Sequence, residues 1–354
     1  MTTTKIAIVG AGWRSDFYLR LALMMPERFE IVGWVVRNPQ KRGKFQVPAY
    51  SSIGDLLAHE KPHYVVSAVS SRSNPEILTQ LVNAGIPALS ETPPADDLPG
   101  LRNLWEAVGS KDMVQVAEQY MRLPMHSARL AVTKRGEIGE ITSVQVSSTH
   151  GYHAVSMMRT FLNAGFGPAQ IRATSFTAPL IDPLTRDAWS EDLDPKSAKT
   201  VLATIDFQEG KSGLYDFTDN QWHNQLRHRR IVIRGSAGEI TDNDLIRLAA
   251  PQAITTSSFN RYQVGHDLNL DGHDTEHISF DGKVIYQNPF RGLRLMDEEI
   301  AIATMLVEMS DWVNGAGAPP YPLAQACQNH LISLGIDESL EKGITINTGV
   351  EAWS

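Results

Sequence analysis

A short apolar run, Lys5 to Val9, breaks at Gly10 and Gly12 and passes at once into a helix-compatible stretch, Asp16 to Met25. No other feature constrains the chain as much. The first glycine permits a tight turn out of a strand, and the second lets backbone approach a bound diphosphate. The unpaired N–H groups that open the next helix then favour negative charge. The third position of this pattern is Ser15, small enough for close packing of helix on strand. Its place between a strand and a helix makes the segment a dinucleotide-binding turn rather than an ordinary strand-to-helix connection. Trp13 and Arg14, which follow directly, are assigned to the same cofactor wall.

The next hundred residues repeat the alternation that produces a parallel sheet. Strands are expected at 5–9, 30–36, 64–69, 86–90 and 113–117, with helices at 14–25, 51–59, 74–84 and 97–109. Asn74-Pro75-Glu76 opens the third of these helices with a cap and a first-turn proline. After Pro124 the texture changes: a helix to Lys134, a Gly136–Gly139 turn, a strand over 141–148, a helix over 155–162, and β-rich runs from Lys199 onward. The runs 200–207, 212–218, 230–234 and 239–241 favour an antiparallel sheet. Asp297 to Val313 reads as a helix with Ile300, Met305, Leu306 and Met309 on its apolar face. The predicted fold class is α/β: a Rossmann-type doubly wound parallel sheet over 1–121, then an α+β domain over 122–354 with a large, mostly antiparallel sheet. The second domain is expected to bind substrate and to mediate self-association.

Composition narrows the function. The 354 residues include 42% hydrophobic side chains, enough for two cores, and 32 basic against 40 acidic residues give a net charge of −8. That balance argues against a general nucleic-acid binder. Cys327 is the single cysteine, so no intramolecular disulfide can form, and a cytoplasmic location is expected. No run is apolar and long enough to predict a membrane span or a secretory signal.

At the end of the second predicted strand, an acid would bond the ribose 2′-hydroxyl of NAD, and a basic residue would tolerate the 2′-phosphate of NADP. Val36 stands there, followed by Arg37, Lys41 and Arg42. The cations lean toward NADP but are equally consistent with a solvated loop, so both cofactors stay open.

Several segments, in order and spacing, resemble the Gfo/Idh/MocA oxidoreductases, the family of glucose-fructose oxidoreductase and inositol dehydrogenase. Val66-Ser67-Ala68-Val69-Ser70 is similar to the family's Ile-Ala-Thr-Pro segment, with Asn74 where a histidine is common. Ala84-Gly85-Ile86-Pro87-Ala88-Leu89-Ser90-Glu91-Thr92-Pro93 resembles Ala-Gly-Lys-His-Val-Leu-Cys-Glu-Lys-Pro, and Glu118-Gln119-Tyr120 resembles the exit from the nucleotide domain. Gly136-Glu137-Ile138-Gly139-Glu140 and Gly235-Ser236-Ala237-Gly238-Glu239 match two later turns. The resemblance implies that Val69, Asn74, Glu91, Thr92, Pro93 and Glu118 join Gly10, Gly12, Trp13, Arg14 and Arg37 around the cofactor.

The same resemblance identifies two departures. The family's lysine in Glu-Lys-Pro, which assists removal of a substrate hydroxyl proton, is Thr92 here. The aspartate of Asp-x-Gly-x-His is Thr149, in Thr149-His150-Gly151-Tyr152-His153. A threonine hydroxyl is no base near neutrality. Both departures resemble a branch of the superfamily, the NAD-dependent glycoside hydrolases, whose segments lack the lysine and carry Thr-His-Gly. In that branch His150 or His153, with Tyr120 or Tyr152, would handle protons; in a dehydrogenase His153 is expected to be the main acid–base group.

Two other clusters carry less. His266 to His277 contains Asp-x-Asn-x-Asp-Gly, but the twelfth position of a calcium loop is Ile278, so a polar turn is expected and no metal site is assigned. Trp222 to Arg230, with Lys196 and Lys199, is the densest basic patch; it suits either an oxyanion on the substrate or a charged edge strand. The function expected is hydride transfer on a sugar or sugar derivative, anionic if the basic patch contributes. The alternatives are a redox-neutral glycosidase using transient oxidation at C3, elimination and water addition, or a catalytically silent binding protein. A homo-oligomer is expected, with no nucleic-acid or membrane partner.

Overall fold

The computed structural model describes residues 3–38, 47–185 and 188–354. Its chain divides into two compact units, one of Met1–Leu123 with Asn288–Gln328 and Trp353, the other of Pro124–Gln287 with Asn329–Ala352 and Ser354.

The first unit opens with β1 (Thr4–Val9), α1 (Trp13–Leu23), β2 (Phe29–Val35), β3 (Ala49–Tyr50) and α2 (Ile53–His59). It continues with β4 (Tyr64–Ser67), α3 (Asn74–Asn83), β5 (Ala88–Ser90), α4 (Leu98–Val108) and β6 (Val114–Val116). The strands form one sheet in the order β3-β2-β1-β4-β5-β6, and every pairing is parallel. A parallel sheet is covered on both faces, so its strands must be apolar throughout rather than alternating. Ile6, Ala7, Ile8, Val65, Val66, Ala88 and Leu89 are accordingly fully buried. Each large aliphatic side chain among them contributes about 1.5–3 kcal/mol relative to exposure. The five predicted strands and four predicted helices all form, within a few residues. The two-residue β3 is too short to leave a periodic signal.

The second unit begins with α5 (Pro124–Lys134), β7 (Ile141–Ser147), α6 (Gly151–Leu162), β8 (Gln170–Leu180), β9 (Lys196–Asp206), β10 (Ser212–Thr218), β11 (Arg230–Gly235) and β12 (Gly238–Thr241). Next come β13 (Asp244–Ala250), β14 (Ala253–Ser258), β15 (Asn260–Val264), β16 (Asp274–Phe280) and β17 (Lys283–Gln287). After α7 (Asp297–Val313) and α8 (Leu323–Lys342) the chain ends with β18 (Ile346–Asn347). A nine-stranded sheet runs β14-β13-β12-β11-β7-β10-β9-β8-β18, antiparallel except where β7 meets β10, and β15-β16-β17 form a small second sheet. The architecture is therefore a parallel Rossmann-type sheet followed by a large, mostly antiparallel sheet.

The spatial division departs from the expected ranges 1–121 and 122–354 mainly in one long stretch, besides Trp353 and a two-residue shift at the boundary. Residues 288–328 return to the first unit. Ile300, Met305, Leu306 and Met309 of α7 are completely buried there. Thr4 Oγ1 and Ser310 Oγ lie 2.5 Å apart, Tyr64 donates its hydroxyl to the Leu306 carbonyl at 3.2 Å, and Arg20 pairs with Glu299. Val116 N–H donates to the Tyr321 carbonyl at 2.8 Å, extending contact along β6. An apolar helix face announces burial without naming the core that receives it, which is why the linear reading assigned this helix to the second domain.

Candidate functional site

The turn between β1 and α1 is shaped as its sequence requires. Gly10 has φ +121°, a conformation L side chains rarely adopt, and a Cβ there would lie 2.3 Å from the Ala68 carbonyl oxygen. Its own carbonyl accepts a hydrogen bond from Trp34 Nε1 at 2.6 Å, which fixes the turn against β2. Gly12 is different: among the described residues no atom lies within 4 Å of where a Cβ would be. Gly12 is also the N-cap of α1 and supplies no side-chain cap, so the helix opens toward space rather than toward protein.

That space is a cleft of about 560 Å³ bounded by the β1–α1 turn, the end of β2, the start of α2 and the first turns of α3. Gly10, Gly12, Arg37 and Val69 of the expected cofactor residues line it. Sequence reasoning missed Ser51, Ser52 and Ile53 at the head of α2, and Glu76, Ile77 and Gln80 on α3. The head of α2 left a signal, since Ser52 caps the helix by accepting from Asp55 N–H at 3.0 Å. Of the basic run after Arg37, Lys41 and Arg42 lie outside the described residues.

The remaining expected cofactor residues occupy a second cluster of the same unit. Glu91 receives the Tyr18 hydroxyl at 2.6 Å and lies 3.3 Å from Arg14 Nε, while Arg14 also reaches Glu298 at 3.0 Å. Burial, and then the Glu91 carboxylate, push the Tyr18 hydroxyl well up, so it stays a donor. Trp13 is half exposed, with the Arg14 guanidinium 4.3 Å above its ring. Asn74 is fully buried and bonds Ser67 at 2.7 Å and Ser90 at 2.6 Å, which ties β4, β5 and α3 together. Thr92 precedes Pro93 through a cis peptide, and Glu118, also fully buried, accepts from Tyr120 N–H at 3.2 Å. Tyr120 itself sits half-buried in a short 3₁₀ turn.

In the second unit, α6 begins at Gly151 with His150 as its N-cap, four residues earlier than the periodicity predicts. The early start brings the histidines into contact, with ring centroids 4.9 Å apart, and Tyr152 stands edge-on to His153 at 5.2 Å. A Cβ at Gly151 would lie 2.5 Å from Ser333 Oγ of α8, so the glycine allows this close approach. His330, also on α8, lies 6.1 Å from Tyr152, and Gly151 N–H bonds the Tyr215 hydroxyl. Neither His330 nor Tyr215 stood out in the sequence. His330 sits in a buried polar run, Gln328 to His330, that an amphipathic pattern hides.

Desolvation by the protein around it, although the residue reaches the surface, and then the neighbouring His153 push His150 down to about 4. It is therefore uncharged at neutral pH, and a weak base. Thr149 is fully buried at the position implied for an aspartate.

The other clusters have structural partners. His266 pairs with Asp274 at 3.0 Å and His277 stacks on Tyr262 at 5.0 Å. Among the described residues no group of three or more His, Cys, Asp or Glu is arranged to hold a metal. Arg230 pairs with Asp216 at 2.9 Å and Lys196 with Asp192 at 2.8 Å, so part of the basic patch is neutralised. Burial pushes the Cys327 thiol up to about 12, leaving it protonated and unreactive. Among the described residues no helix is long and apolar enough to cross a membrane.

Residues 4–119 match the model of an oxidoreductase family with an NAD-binding Rossmann fold, GFO_IDH_MocA. In structure, the chain is similar to an oxidoreductase from Agrobacterium radiobacter solved with NAD+, L-tartaric acid and magnesium: TM-score 0.70, 16% identity, 98% of each chain covered. It is similar to a myo-inositol dehydrogenase from Corynebacterium glutamicum, with TM-score 0.68 and 17% identity over 98% of this chain and 99% of that one. A levoglucosan dehydrogenase solved with NADH and levoglucosan gives the same values. No curated protein matches the chain in sequence.

Proposed function

Since residues 4–119 match the GFO_IDH_MocA model of an NAD-binding oxidoreductase family, we propose that the chain is a nicotinamide-dependent enzyme of this kind that oxidises or reduces a sugar, polyol or related derivative. The observation that carries this reading is the open space over Gly12 at the head of α1, continuous with a cleft large enough for a dinucleotide. Gly10, Gly12 and Val69 would hold the dinucleotide, which when bound supplies a hydride acceptor or donor. Arg14 and Tyr18, both bonded to Glu91, hold the segment that carries Thr92 and Pro93. Glu118 fixes the turn at Tyr120.

The proton of the substrate hydroxyl falls to His150 and His153. A value near 4 makes His150 a weak base, so His153 is the main acid–base group, with the His150 and Tyr152 rings packed against it and His330 beside Tyr152. The related structures solved with sugar-type molecules support the substrate class. Self-association is supported by exposed Phe176, Ile246, Leu248 and Ile254 on strands of the nine-stranded sheet.

A second reading rests on Thr92 and Thr149. With no lysine or aspartate at these positions, the chain has the proton-handling set of a redox-neutral glycosidase as readily as that of a dehydrogenase. In that chemistry a C3 hydroxyl is oxidised, the C2 proton leaves with the aglycone, water adds, and the hydride returns. One experiment separates the two. Purified protein is incubated with free sugars and chromogenic glycosides while cofactor absorbance is followed. Net cofactor reduction on a free sugar supports the dehydrogenase, and aglycone release without net reduction supports the glycosidase. Neither outcome across a broad panel, together with unchanged cofactor binding in His153→Ala, would leave only a binding protein.

A further inference from the structure

The dinucleotide cleft carries a second message at its adenosine end. We infer that it is built for the cofactor bearing a 2′-phosphate, NADP(H), in preference to NAD(H). This rests on the nucleotide-binding reading above and goes one step further into the same site.

The end of β2 decides which ribose substituent is accepted, because the residue after the strand faces the ribose. That residue is Val36, 1% exposed, with its N–H held by the Tyr50 carbonyl at 3.0 Å. A carboxylate here would accept the 2′-hydroxyl of NAD and repel a phosphate dianion; valine does neither. Arg37 follows, exposed, and lines the same cleft. Its planar guanidinium suits bidentate recognition of phosphate oxygens.

The facing loop is polar and small. Ser51 and Ser52 line the cleft beside Asn38. Ser52 Oγ already accepts from Asp55 N–H, so its proton remains to donate. Two carboxylates stand nearby, and each is engaged. Asp55 accepts from Ser51 N–H at 3.1 Å and from its hydroxyl at 3.2 Å, and Glu76 accepts from Gln80 Nε2 at 3.1 Å on its own helix. Neither occupies the position after β2 where a carboxylate would exclude the phosphate.

The test is calorimetric titration of the purified protein with NADP+, NAD+, adenosine 2′,5′-bisphosphate and AMP, with no turnover needed. NADP+ is expected to bind at least about tenfold more tightly than NAD+, since one charge-assisted contact is of that size. Adenosine 2′,5′-bisphosphate should show the same advantage over AMP, and both preferences should shrink as salt is raised. Arg37→Gln should lower NADP+ affinity about tenfold more than NAD+ affinity. Val36→Asp should reverse the order. If that buried carboxylate unfolds the protein, the wild-type ratio and Arg37→Gln decide the question alone. Equal or tighter binding of NAD+ overturns this inference and leaves the nucleotide site standing; absence of binding by either dinucleotide overturns both.

Discussion

At the scale of single residues, two glycines two positions apart do opposite things. Gly10 is required by the protein, because its φ and the Ala68 carbonyl leave no room for a side chain. Gly12 has no such constraint, since among the described residues nothing lies where its Cβ would be. Gly12→Val is therefore expected to keep the wild-type melting temperature to within roughly 2 °C while losing dinucleotide binding to steric overlap with the diphosphate. Unchanged affinity in calorimetry would remove the turn from the site. His150 gives a second prediction. Its folded-state value, about 4, lies below the 6.5 of an exposed histidine. As pH falls through 6.5 toward 4, the unfolded chain takes up the proton first, so stability is full above pH 6.5 and declines through that window. His150→Gln should flatten that part of the decline in urea melts followed from pH 7 to pH 4. An unaltered slope would show that the imidazole is not held neutral. Both residues were legible in the sequence as types. Their different roles were not, because Cβ clearance and ring contact depend on backbone geometry.

At the scale of elements, local rules explain most boundaries. Asp97 ends its extended segment by accepting Gly100 N–H at 2.8 Å, which starts α4 with a proline in its first turn. Asp97→Ala is expected to cost about 1 kcal/mol, read as a lower midpoint in denaturant and faster amide exchange confined to the first turn of α4. Exchange unchanged there would show that packing of Leu101 and Leu104 alone sets the helix start. The strands of the parallel sheet were readable because continuous apolar runs of four to six residues have few other uses. The strands β13 to β17 were not, since their outward positions are polar and turn-rich and the alternation is broken by register shifts. α6 shows a third case. Its first turn, Gly151 to His153, begins with glycine and lacks an acidic cap, so propensity places the start later. Burial of Tyr152, His153 and Ala154 overrides that preference, and the catalytic candidates depend on the override.

At the scale of the whole molecule, the sequence showed that two kinds of sheet follow one another, but not which core takes the helix between residues 297 and 313. The answer lies in partners far apart along the chain: Thr4 with Ser310, Tyr64 with Leu306, and Gln115, whose side chain accepts from Tyr321 N–H at 3.0 Å. Such pairs have no local signature. Their existence has a consequence for how the protein is made. The strands β1 to β6 of the first unit are translated before the other unit, yet the helix α7 that packs on them follows β7 to β17. The wall beside Thr4, Arg20 and Tyr64 therefore waits, apolar and uncovered, through much of synthesis, and a nascent chain that stalls before residue 297 displays that wall to chaperones. A core begun before its neighbour is thus closed only after most of that neighbour has been made.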